Sequence, residues 1–107
     1  MTAIDIRTKI ATDNRWLVRA ILALYERQTE DEQRAESTDH RNDKGFNAAD
    51  APIMSSFAKQ ILDWRRSDDR TYASPLSPRQ LAVARRKLPK YAGQLARIAA
   101  ERAAVAV

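Results

Sequence analysis

This sequence predicts an all-α protein, a compact bundle of four to five short helices. Three observations carry that expectation. Only two of the 107 residues are Gly, and helix-favouring Ala, Leu, Arg, Gln and Glu fill much of the chain. Apolar residues recur at spacings of three and four, and no stretch alternates with the period of two that marks a half-buried strand. Two helix-start signatures stand out, Thr29 with Glu32 and Ser77 with Gln80. The length suits one domain. We expect an N-terminal arm or short helix over residues 1–12, a helical domain over 13–103 and a frayed end at 104–107. Hydrophobic residues make up 44% of the chain, but aromatics only 7%, so the core is modest. A homodimer or docking on a larger partner would be one way for a chain this small to gain stability.

The first strong helix is expected over about 13–28. Trp16, Leu17, Ala20, Ile21, Leu24 and Tyr25 make one apolar face, and Thr12 or Asp13 can cap the start. In "TEDE", Thr29 is placed to cap and Glu32 to reach back, so a second, highly charged segment begins there. It fades into a loop over about 36–46, rich in Ser, Thr, Asp and Asn. Within "DKGFNAADAP", Gly45 can take the positive φ that ends a turn and aims Phe46 inward as a core plug; the other reading is an exposed docking aromatic. If Asn47 caps the next helix, Pro52 falls inside it. If Asp50 caps, Pro52 lies in the first turn, where its missing N–H costs nothing, with residues 47–49 as a tight lead-in turn. Asp50 is therefore preferred, followed by an apolar stripe of Ile53, Phe57, Ala58, Ile61, Leu62 and Trp64. After a second loop over about 67–76 comes "LSPRQL". Ser77 is the cap, Pro78 the first helical residue, Gln80 the reciprocal partner, and Leu76 and Leu81 the hydrophobic staple. That helix runs to about Lys87. Pro89 then either kinks it or starts a new one reaching about Ala103.

Charge is one-sided. The chain carries +5, yet residues 79–107 hold seven cations against Glu101 alone and residues 1–78 sum to −1. With helical spacing continued through Pro89, Arg79, Arg86, Lys90 and Arg97 fall within about 40° of one another, with Gly93 in the same sector. Arg85 and Lys87 flank them. Leu81, Ala84, Leu88, Tyr91, Leu95, Ile98 and Ala99 occupy the opposite side. Aligned cations suit the phosphate backbone of a nucleic acid, and a glycine among them permits close approach. The same pattern also describes a merely solvated helix face or a surface for an acidic protein. No zinc finger or RNA-binding aromatic motif accompanies it, and the loop before Ser77 is long for a helix-turn-helix.

Other chemistry is thinly represented. Without Cys there are no disulfides, thiolate metal sites or Cys nucleophiles, and a single His rules out a multi-histidine site within one chain. His40, near Asp39 and Asp43, reads as an exposed loop residue. No spacing selects an acid–base pair among Asp5, Asp13, Asp50, Asp63, Asp68 and Asp69. Ser55 and Ser56 match no nucleophile elbow, and there is no phosphate-cradling glycine loop. The expectation is a non-enzyme with no cofactor, metal site or catalytic residue. No apolar run is long enough for a signal peptide or a membrane span, so a cytoplasmic setting is expected. Trp16 and Trp64 belong to helical stripes and read as core, whereas Tyr72 sits in a loop as the freest aromatic.

Three blocks, "TDNRWLVRAILALYERQTEDEQ", "NDKGFNAADAPIMSSFAKQI" and "LSPRQLAVARRKLPKYAGQLARIA", resemble in order a small helical module of phage and mobile-element proteins. That module is also found attached to some DNA helicase-like proteins. The likeness covers about residues 13–99. It implies a setting of phage or plasmid DNA processing but assigns no activity to any residue. The resulting expectation is a phage or prophage protein that contacts nucleic acid through Arg79, Arg85, Arg86, Lys87, Lys90 and Arg97. The alternative is a protein-interaction module, either an accessory to a DNA-processing enzyme or an inhibitor of a host defence system.

Overall fold

The computed structural model describes residues 1–28, 45–67 and 73–106. Every regular element among them is helical: α1 (Ala3–Thr12), α2 (Asn14–Arg27), α3 (Ala51–Arg66), α4 (Pro78–Lys87), a 3-10 turn (Leu88–Tyr91) and α5 (Ala92–Ala106). The all-α expectation holds. The Thr29–Glu32 signature, most of the loop over 36–46, His40, Asp68, Asp69 and Tyr72 lie outside the described residues.

The N-terminal segment is a helix. Thr2 caps α1 reciprocally with Asp5, and Ile6 and Ile10 are fully buried on one face. Asp13 is the elbow between the first two helices. Its extended backbone ends α1 through an N–H donated to the Lys9 carbonyl, while its Oδ1 accepts the Arg15 and Trp16 N–H groups that open α2. One residue thus satisfies orphan groups of two helix ends.

Helix α2 is the centre of the bundle and contacts every other helix. It buries Leu17, Val18 and the whole run Ala20–Leu24, more than one face. The core around it takes Phe46, Met54, Phe57, Ile61, Leu76, Leu81, Leu88, Leu95 and Ile98. Each large apolar side chain so buried contributes roughly 1.5–3 kcal/mol. Trp16 packs against this core but keeps part of its ring exposed, and Trp64 is half-buried, so neither is a full core residue as expected. Ile53 also departs from its expected stripe, at 38% exposure. The buried face of α3 is set by Ala51, Met54, Ser55, Phe57, Ala58 and Ile61 instead.

The start of α4 matches its sequence signature. Ser77 Oγ accepts the Gln80 N–H, Gln80 Oε1 accepts the Ser77 N–H, and Pro78 opens the helix. Gln80 also exchanges hydrogen bonds of 2.8 and 3.0 Å with Gln60, tying this helix start to α3. Pro89 stops α4. The chain makes one 3-10 turn, in which the missing proline N–H removes no α-helical bond, and resumes as α5. That helix continues to Ala106, past the expected end near Ala103.

Candidate nucleic-acid interface

The segment over 79–97 sorts its residues cleanly. Leu81, Ala84, Leu88, Tyr91, Leu95 and Ile98 are buried. Arg79, Arg86, Lys90, Gly93 and Arg97 are exposed. A 3-10 turn interrupts the helix at Pro89, so the four cations do not keep the angles expected of one continuous α-helix. Their outward placement nevertheless persists across the turn, because the buried residues keep spacings of three and four on both sides of it.

The six cations do not form one set. Arg79, Arg86 and Arg97 are exposed and have no side-chain partner among the described residues. Arg85 is turned to structural use. Its Nε donates to the Ile10 carbonyl at 2.9 Å and its Nη2 to Asn14 Oδ1 at 2.5 Å, which satisfies the end of α1 and pins α4 to the α1–α2 elbow. Lys87 and Lys90 both turn toward Asp50, at 3.1 and 2.7 Å. Lys90 also lies 5.6 Å from the centre of the Tyr91 ring.

Asp50 is therefore more than a helix start. It stands immediately before α3, with Pro52 in the first turn as expected, but its carboxylate caps nothing. Asn47 does that work instead: its Oδ1 accepts the Asp50 N–H at 2.8 Å, and its carbonyl accepts the Ala51 N–H at 2.9 Å. The Asp50 side chain, 2% exposed, is freed to receive the Tyr91 hydroxyl at 2.6 Å as well as the two lysines. Burial pushes its pKa up, but Lys90, Tyr91 and Lys87 outweigh that and hold the carboxyl below its ordinary range. Tyr91 moves the other way. Burial and the adjacent carboxylate raise its pKa well above the ordinary phenol value. The Tyr91 oxygen also accepts the Asn47 N–H at 3.1 Å.

The turn ahead of α3 closes on the same corner. Gly45 has φ +80°, in the left-handed region expected of it. Its N–H donates to Gln94 Oε1 at 2.6 Å, and Gln94 Nε2 donates back to its carbonyl at 3.2 Å. Phe46 is 1% exposed and meets the Tyr91 ring edge-on, centroids 5.8 Å apart, so it is a core plug. Gly93 differs from Gly45. A side chain there would meet nothing within 4 Å, so no contact inside the chain requires a glycine.

The exposed arginines were identifiable in the sequence. The roles of Asp50, Arg85 and Gln94 were not, since each depends on a partner far along the chain. A periodic pattern finds faces but not such pairs. The one available cue was Asn47 three residues before Asp50, which offers a competing cap.

Among the described residues no three His, Cys, Asp or Glu side chains stand together as metal ligands, and no helix is long and apolar enough to cross a membrane. Comparison with protein families, characterised proteins and solved structures gives no match.

Proposed function

We propose that this protein is a non-enzymatic binder of nucleic-acid backbones and that Arg79, Arg86 and Arg97 make the phosphate contacts. The observation that carries this reading is their state: three exposed guanidinium groups on consecutive helices, free of side-chain partners among the described residues, beside three cations that are internally engaged. A guanidinium offers a planar fork of donors to phosphate, and each phosphate neutralised releases condensed counterions. Gly93 stands exposed between Lys90 and Arg97 and leaves room for a backbone to approach. Lys87 and Lys90 lie at the edge of the contact and add field rather than direct bonds. Such contacts position a protein without reading sequence.

The likeness of residues 13–99 to the phage and mobile-element module supports a role in phage or plasmid DNA processing in the cytoplasm. Under a second reading the same arginines meet an acidic protein, either a DNA-processing enzyme or a host defence factor. Salt separates the two. In fluorescence-anisotropy titrations, three phosphate contacts on duplex DNA give a slope of log affinity against log salt of about −3. Arg86→Glu/Arg97→Glu then removes binding. Absence of binding at low salt contradicts the nucleic-acid reading and leaves the protein surface.

A further inference from the structure

A second surface lies between α2 and α5, apart from the row of free arginines. Ala20 and Ala23 of α2 face Ile98 and Ala99 of α5, and the short side chains leave an apolar groove of about 190 Å³ walled by the half-buried ring of Trp16. Two cations line it. Arg19 is exposed and has no side-chain partner among the described residues. Arg102 pairs with Glu26 at 3.3 Å, but both side chains are more than 60% exposed, so this pair is weak and a better-placed carboxylate displaces it. Arg15, one turn before Arg19, adds a third exposed cation along α2. The groove thus joins an apolar slot with room for one large side chain and guanidinium groups beside it.

We propose that this groove docks an acidic peptide segment of a partner protein. One large apolar side chain seats against Trp16, Ala20 and Ala99, and neighbouring carboxylates pair with Arg19 and Arg102. Charge complementarity selects this occupant. A bidentate carboxylate satisfies each guanidinium, the apolar anchor fills the slot, and Trp and Arg together are the residue types that dominate binding hot spots. The docking does not depend on the nucleic-acid reading, since none of its residues belongs to that face.

The test is a displayed random-peptide library selected against the full chain at physiological salt. Enriched sequences should place a large apolar residue among Asp and Glu. A synthetic peptide of the enriched sequence should shift the amide resonances of Trp16, Ala20 and Ala99 and leave those of Arg79 and Arg86 in place. Arg19→Glu/Arg102→Glu should weaken it about tenfold or more, the loss of at least 1.4 kcal/mol expected when rim charges turn repulsive. Ala99→Leu, which fills the slot, should abolish it. Ala99→Leu, which changes no charge, should keep wild-type nucleic-acid binding. Because the arginines are exposed, their reversal is a surface change that leaves folding intact. The proposal is overturned if selection yields no binder, if enriched peptides lack acidic residues, if reversal of the two arginines has no effect, or if the groove proves to be covered by a second copy.

Discussion

Two groups of cations lie within twenty residues of each other and do opposite things. Lys87 and Lys90 flank the 3-10 turn and converge on the buried carboxylate of Asp50. Arg86 and Arg97, one on each side of the same turn, face outward with no side-chain partner among the described residues. In the sequence all four belong to one basic cluster. What divides them is the interior: Asp50 lies behind the turn, bonded to Tyr91, and long lysine stems reach it while keeping part of their length in water. A charge count therefore overstates the free charge of this face. Two of its cations share the single negative charge of Asp50, which offsets one of them, and a third, Arg85, is tied to the end of α1.

The largest effect should come from disrupting the turn that brings Asp50 to its place. Gly45→Ala forces a side chain into the left-handed region, and its Cβ would come within 2.2 Å of Gln28 Cγ and 3.1 Å of the Leu24 carbonyl. Backbone strain and overpacking together predict a loss of about 2–5 kcal/mol in denaturant unfolding. Next come the partners of the corner. Asp50→Asn and Tyr91→Phe should each lose about 1–3 kcal/mol, the cost of leaving a buried polar group poorly matched.

The corner also predicts a pH profile. A depressed Asp50 pKa contributes stability that is present above the ordinary carboxylate value of 3.8 and lost as pH falls through the lower folded value. The raised Tyr91 pKa works at the other end: the phenol keeps its proton in the folded state, so stability declines as pH rises past its ordinary value of 10.0. Thermal melts should show a plateau between these limits. Asp50→Asn should flatten the acid side and Tyr91→Phe the alkaline side.

The smallest effect is expected on the outward face. Gly93→Ala should raise stability by up to about 1 kcal/mol, since an exposed helical glycine with open space around it costs roughly that much relative to alanine. If a phosphate approaches there, the same variant weakens nucleic-acid binding, and a more stable but weaker binder identifies Gly93 as part of the contact.

Much of this architecture can be read in the sequence because it is local. Ser77, Pro78 and Gln80 specify the start of α4 with groups only three residues apart, and Asp13 does the same for α2. The apolar face from Leu81 to Ile98 is a matter of spacing and survives the break at Pro89. Asp50 occupies the expected cap position, but the work of its side chain is not legible, for the opposite reason. Its cap position is a local inference, whereas its partners lie 37 to 41 residues away and are reached only once α3 and the 3-10 turn are packed together. Ile53 shows the limit of periodicity within one helix, since a stripe wide enough to include it leaves open which edge the neighbours cover.

The division of the basic cluster is tested most directly by removing equal charge from its two halves. Arg86→Gln/Arg97→Gln and Lys87→Gln/Lys90→Gln each delete two cations from the same stretch. Both are compared with wild type in anisotropy titrations against duplex DNA at two salt concentrations and in denaturant unfolding. The arginine variant should lose most of its binding and shorten the salt slope by about 2, with stability within about 0.5 kcal/mol of wild type. The lysine variant should lose stability and keep most of its binding. Equal losses of binding in the two, or a lysine variant as stable as wild type, would contradict the account.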